Sequence, residues 1–196
     1  LRHIAKQRQM LLLLWMFFIG LGIFNAVTTW IEEILAPRGF SADQAGIAGA
    51  VMMVGGIVGA SILPALSDRF GKRVPFLVAT MTLTVPGLAG LTFLTNYSLL
   101  LAASFLLGFA SMSAGPIGFQ YGAELAHPAP EATTQGLMMV AGQISGALFI
   151  YGMHAFRADT GSMTPFMVFF VIATIFNAII CTRLAEPASA TPQSQP

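Results

Sequence analysis

Few side chains in this sequence can do chemistry, and most of them are amides, hydroxyls and carboxylates set into long apolar runs. Asn25, Thr28, Thr29 and Glu32 are spaced i, i+3, i+4, i+7, which places them on one face of a helix. Hydrogen-bonding groups without partners are costly in hydrocarbon, so this face must look into protein or into a water-filled cavity. Trp30 lies about 140° from Asn25 around an ideal helix and meets the edge of the same face if the helix bends. Gln143 sits near the middle of another apolar run, one of the most expensive depths for an amide. Asn177 lies at a similar depth in the last run, where packing between helices is the expected role. Gln120 and Glu124 stand one turn apart with Tyr121 beside them, either as an inner gate or as a solvated helix end. Amides and hydroxyls of this kind recognise a small polar solute, and the aromatic faces of Trp30 and Tyr121 suit a cationic or quaternary group. The candidate binding residues are therefore Gln143, Asn25, Thr28, Thr29, Trp30, Gln120 and Tyr121.

The charged groups gather elsewhere, in Pro64-Ala-Leu-Ser-Asp-Arg-Phe-Gly-Lys-Arg73. Gly71 permits a tight turn there. Asp68 can join a charged pair or sit at the positive end of a neighbouring helix. A contact of that kind, formed in one conformation and broken in another, biases the equilibrium between the two. Asp68, Arg69, Gly71, Lys72, Arg73 and Glu124 are accordingly the candidate switch and gate residues.

These groups must be held by helices that cross a membrane. Of 196 residues, 56% are hydrophobic and 9% charged, against about 25% charged in a soluble domain. Charge-free stretches cover 9–31, 44–67, 74–123 and 132–156, and a further one ends at residue 182. A helix needs about 20 apolar residues to cross the hydrocarbon layer, so the 50-residue stretch counts as two spans. Six spans follow, at 10–36, 43–66, 74–95, 98–122, 132–156 and 163–185. Ser41-Ala-Asp-Gln44 has capping-box spacing and starts the second. Gly115-Pro116 should bend the fourth, where Ser104, Gly108, Ser111, Gly115 and Gly118 form a small-residue stripe. That stripe serves close helix approach or leaves room for a substrate. The tail from 186, rich in Pro, Ser and Ala, is expected to be disordered.

With six spans, Arg2, Lys6, Arg8, Arg69, Lys72, Arg73 and Arg183 fall on one side, and Arg38 and Arg157 on the other. The positive-inside rule puts both termini in the cytoplasm, across a plasma or bacterial inner membrane. Met52-Met-Val-Gly-Gly-Ile-Val-Gly-Ala60 reappears as Met138-Met-Val-Ala-Gly-Gln-Ile-Ser-Gly146, and at the same offset Gly22 falls on Gly108. Residues 9–95 and 96–185 thus read as two three-helix units within one six-span domain, 1–196. Three is odd, so the second unit enters from the opposite side, an inverted repeat. Gln143 has the apolar Ile57 as its counterpart.

Several classes fall away. A net charge of +1 without a basic stripe argues against nucleic-acid binding. One cysteine, Cys181, supports neither a disulfide framework nor a thiolate metal site, and no cofactor is expected. The basic start and apolar run imitate a signal peptide, but no small-residue cleavage site closes the run. The first residue is Leu1, as expected of a start inside a longer reading frame. No charged side chain falls in mid-span, which favours facilitated diffusion or coupling through another half. Glu32-Glu33-Ile-Leu-Ala-Pro-Arg38 is similar to the Glu-Glu-x-x-x-Arg motif of membrane-embedded CAAX-type proteases, but Arg38 is one residue late. Ser61 has no evident base for a rhomboid-like pair.

The Pro64–Arg73 segment resembles the loop signature of the major facilitator superfamily, Gly-x-Leu-Ala-Asp-Arg-x-Gly-Arg-[Arg/Lys], with Pro64 in place of the first Gly. Gly118-Phe-Gln-Tyr-Gly-Ala-Glu-Leu-Ala-His-Pro-Ala-Pro-Glu-Ala-Thr-Thr-Gln-Gly-Leu137, continuing to Gln143, resembles the feline leukaemia virus subgroup C receptor-related transporters. These are facilitator carriers associated with choline, ethanolamine and haem. Gln120 and Ala132 depart from their pattern, and His127 stands where they have Tyr. The resemblance implies an all-α membrane protein, the C-terminal six-span half of a twelve-span secondary transporter working by alternating access. In it, Gln143 faces the central cavity, the first, second, fourth and fifth spans line that cavity, and the third and sixth support them. The partners implied are a small-molecule substrate, the lipid bilayer, and a missing N-terminal half or a second copy of this chain. A six-span accessory scaffold is the alternative from another class, and an intramembrane protease a more remote one.

Overall fold

The computed structural model describes residues 7–126 and 130–186. Arg2, Lys6, His127, Pro128 and the tail from 187 onward lie outside the described residues. Among the described residues the chain is helical, and six helices are long and apolar enough to cross a membrane. They are α1 (Arg8–Thr29), α3 (Ala42–Phe70), α4 (Val74–Phe93), α5 (Tyr97–Ala126), α6 (Glu131–Thr160) and α7 (Thr164–Cys181), with the short α2 (Ile31–Leu35) following α1.

Local chemistry sets most boundaries. Ser41 and Gln44 form the reciprocal capping box, with Gln44 N donating to Ser41 Oγ at 3.3 Å and Ser41 N to Gln44 Oε1 at 3.0 Å. At its far end α3 stops on Gly71, whose φ of 62° is open to glycine. Lys72 N then donates back to Ser67 O and Gly71 N to Asp68 O. At 29 residues, α3 is about 43 Å long and overshoots a ~30 Å hydrocarbon layer, which carries Asp68 and Arg69 clear of it.

The first span departs from the single helix expected over 10–36. The helical path breaks at Trp30, where φ is −106° and ψ 18°, and a 3-10 turn over Ala36–Arg38 follows α2. Thr28 and Thr29 turn their hydroxyls back onto the carbonyls of Phe24 and Asn25, a bond pattern that bends helices. Arg38 then donates to Leu94 O at 2.9 Å and to Leu91 O. The cation thus sits on the carbonyl end of α4, where the helix dipole favours it, and burial lowers its pKa. In the fourth span the helix runs unbroken through Pro116.

The helices pack in a pattern with internal symmetry. α1 lies along α6, and α3 along α5; α4 packs on α5, α7 on α1, and α4 on α7. Exchanging α1 with α5, α3 with α6, and α4 with α7 maps this set of pairs onto itself. With α2 counted as part of the first span it also exchanges the α5–α6 contact with the α2–α3 contact, a pattern in keeping with two inverted three-helix units. Small residues make the close pairs possible. A Cβ on Gly108 would stand 1.8 Å from the Met52 carbonyl oxygen, and one on Gly55 2.3 Å from that of Phe105. The symmetry extends to the surface. Met53, Val54, Ile57, Val58, Ser61 and Ile62 are exposed along α3, and Met139, Val140, Gln143, Ile144, Ala147 and Leu148, each 86 positions later, are exposed along α6.

Candidate functional site

The α1–α6 contact brings the first two sequence-predicted binding residues together. Gly142 on α6 accepts Leu21, and Ser145 meets the backbone at Gly22. Gly146 leaves room for Asn25, since a Cβ there would stand 2.8 Å from Asn25 Nδ2. Seated so, Asn25 Nδ2 donates to Gln143 Oε1 at 3.3 Å. Gln143 is exposed and Asn25 half-buried. The amide pair therefore lies on the surface of the six-helix unit at mid-span, where contact with lipid would be costly. An interhelical hydrogen bond in a membrane contributes about 0.6 kcal/mol on average.

Thr28 and Thr29 stand one turn further on, their hydroxyls committed to the carbonyls of their own helix. The bend delivers Trp30 to α6, where its Nε1 donates to Ile150 O at 3.2 Å and its ring stacks on His154 at 5.8 Å. Asn25, Thr28, Trp30 and Gln143 thus belong to one α1–α6 surface. Glu32 is exposed, and Glu33 reaches Arg157 at 3.9 Å.

Tyr121 is not brought to this group. It is fully buried, and its hydroxyl donates to Ala185 O at 2.8 Å. The ring lies among Met10, Leu13, Ile117 and Met138, so its aromatic face is spent on packing. One residue step, about 100° around the helix, separates the faces: Gln120 points outward while Tyr121 points into the bundle.

Gln120 instead joins the charged cluster. Its Nε2 donates to Glu124 Oε1 at 3.3 Å. Arg73 Nε donates to the same oxygen at 3.1 Å, and Arg73 Nη1 reaches both Asp68 and Ser67 Oγ. Burial by itself would lower the guanidinium's pKa, but the hydrogen bonds it donates to Asp68 and Glu124, with their charges, raise it above the ordinary value. Asp68, Arg73 and Glu124 so tie the end of α3 to α5, with Gly71 supplying the turn. Arg69 and Lys72 are exposed alongside. Glu186, at the start of the expected disordered tail, also enters this cluster. Its carboxylate accepts from Arg73 N at 3.2 Å and Val74 N at 3.0 Å, at the N-terminus of α4. Nothing in the spacing signals that contact, because it joins residues more than a hundred positions apart.

A cavity of about 400 Å³ opens beside the amide pair. Asn25, Met112, Pro116 and Met139 mark its more open side, and Leu77, Met81, Leu88, Thr174 and Asn177 its buried floor. It runs between α1 and α5 and is backed by α4 and α7. The small-residue stripe of α5 divides along its length. Gly108 is pressed against α3, whereas Ser111 and Gly115 line the cavity, and a Cβ on Gly115 would meet nothing within 4 Å. Among the described residues no group of His, Cys, Asp and Glu has the makings of a metal site.

Known proteins share this sequence pattern. The family described as Major Facilitator Superfamily matches residues 1–150. Solute carrier family 49 member A3 of Danio rerio is 32% identical over 168 residues, covering 84% of this chain and 35% of that protein. An uncharacterized protein of Archaeoglobus fulgidus is 36% identical over 121 residues, covering 62% of this chain and 56% of its own length. Choline/ethanolamine transporter FLVCR1 of Mus musculus is 25% identical over 188 residues, 94% of this chain and 33% of that protein. The chain thus spans about a third of the length of the two vertebrate relatives.

Proposed function

The chain belongs to the Major Facilitator Superfamily, and we propose that it forms six spans of a secondary transporter that moves a small polar or cationic organic solute by alternating access. Residues 9–95 and 96–185 are its two inverted units. The observation that carries this reading is the Asn25–Gln143 pair on an exposed mid-span face. Lipid cannot satisfy such amides, so the face borders a polar passage completed by further protein. That protein is a preceding six-span half, as the length of the vertebrate relatives suggests, or a second copy. The second copy gains support from the Archaeoglobus relative, whose 56% coverage by 121 residues makes it comparable in length to this chain.

Gln143 and Asn25 provide hydrogen bonds to the solute, Thr28 and Thr29, whose protons are held by their own helix, can only accept from it, and Trp30 offers a ring edge beside them. Gln120, with Glu124, stands at the inner gate, where the Asp68–Arg73–Glu124 contacts hold one state and release in the other. FLVCR1, a choline/ethanolamine transporter by name, makes a choline-like solute the first to test. In proteoliposomes holding the chain together with its completing half or copy, radiolabelled choline should enter saturably. Gln143→Leu should remove that uptake while the protein stays monodisperse. Undiminished uptake by the variant overturns the site assignment, and uptake of neither choline nor ethanolamine overturns the substrate class.

A further inference from the structure

The floor of the cavity has a feature that a polar, cationic solute does not account for. Asn177 is 1% exposed. Its Nδ2 donates to Met16 O at 3.3 Å and approaches Met81 Sδ at 3.6 Å, but its Oδ1 is buried without a hydrogen-bond partner. An acceptor left in that condition costs about 1–3 kcal/mol. Neighbouring hydroxyls do not relieve it, because Thr84 donates to Thr80 O and Thr174 to Phe170 O. Such a group calls for an explanation, and a donor entering from the adjoining cavity is one.

The walls specify what that something is. The residues lining the cavity include no Asp, Glu, Lys, Arg or His. A charged ligand would lie there unpaired, at heavy desolvation cost. Met16, Met81 and Met112, with Phe17, Phe24 and Phe119, provide adaptable thioethers and flat apolar faces instead. The volume, about 400 Å³, falls within the range of small-molecule pockets.

We propose that the crevice between α1 and α5 is a second binding site, taking a neutral, mainly apolar molecule that carries one hydroxyl, with Asn177 Oδ1 accepting from that hydroxyl. A long-chain alcohol dissolved in the bilayer has this chemistry. The site differs from the polar passage in chemistry, needing no charge recognition and no transport, but it opens onto the same face: Asn25, which pairs with Gln143, and Met139, one turn before Gln143 on α6, both line its mouth. A ligand seated there keeps α1 and α5 from closing on each other.

The test uses the purified chain in lipid nanodiscs and a pair of photoreactive probes. One is a diazirine-bearing long-chain primary alcohol, and the other is the same molecule without its hydroxyl. The alcohol should label peptides containing Met16, Met81 or Met112, with competition by 1-dodecanol and a preference of about fivefold over the hydrocarbon, as one net hydrogen bond provides. Asn177→Leu should erase the preference and leave the site. Gly115→Phe, which fills open space, should abolish labelling by both probes, and it keeps the test valid if the Asn177 variant does not fold. Equal labelling by the two probes in the unmodified chain overturns the proposal, as does labelling confined to the exposed faces of α3 and α6. Persistence of the preference in Asn177→Leu also overturns it, since the buried oxygen then serves water or nothing.

Discussion

At the scale of single residues, what decides the role of a polar side chain is whether its hydrogen bonds are already spent. Asp68 is largely exposed, so its pair with Arg73 contributes at most about 1 kcal/mol. A contact that weak contributes little to stability but can be broken and remade in each cycle. Asp68→Asn should therefore leave unfolding almost unchanged and raise inner-side access, seen as faster labelling of a cysteine placed at Gln120. Unaltered labelling would refute the switch role. Glycines divide in the same way by what surrounds them. Gly108→Ala would drive a methyl into the Met52 carbonyl and should destabilise by about 1–3 kcal/mol. Gly115→Ala meets open space and should stay within about 0.5 kcal/mol; thermal unfolding in detergent compares the two. The cost of an amide at depth marks Gln143 and Asn25 from sequence alone, whereas their pairing depends on Gly146, whose role appears only when α1 meets α6. Tyr121 carries the opposite lesson. Adjacent positions on a helix face about 100° apart, so a tyrosine beside Gln120 need not share its surroundings.

At the scale of elements, the spans are legible because apolar length is a direct physical requirement for crossing a bilayer, and the capping box at Ser41 is legible because its spacing is local. The break at Trp30 is less so. Two threonines, a bend and an indole reaching Ile150 act together there, and the indole's acceptor lies on another helix. The N-terminus of α4 is a second case. Its first turn carries no acidic residue and no side-chain cap from Arg73, so its orphan amides look to Glu186 from the far end of the chain. Glu186→Ala should cost about 0.5–2 kcal/mol. Amide exchange should speed up in the first turn of α4 and hold steady in α3. Equal protection in the variant would mean that water serves those amides as well as the carboxylate does.

At the scale of the whole molecule, the internal repeat turns a local resemblance into architecture. Met52 and Met138 are both fully buried, and the exposed stripes of α3 and α6 coincide position for position. That coincidence is what an inverted repeat predicts, because equivalent helices then face equivalent surroundings. The stripes leave Ile57 63% exposed and Gln143 exposed opposite it: one is content in lipid or in an apolar interface, the other in neither unless something polar completes the face. Orientation belongs to this scale too. Arg8, Arg69, Lys72, Arg73 and Arg183 gather at one end of the bundle, and Arg38 and Arg157 at the other. The positive-inside rule therefore predicts that the α3–α4 turn faces the cytoplasm. Cys181 is buried, so it should give little background with a membrane-impermeant maleimide. In intact cells, Asp43→Cys, at the exposed start of α3, should react, while Lys72→Cys should react only after permeabilisation. The opposite pattern would invert the molecule, placing the Arg73 cluster outside and the Arg38 clamp inside, and the inner-gate role of Gln120 and Glu124 would fall with it.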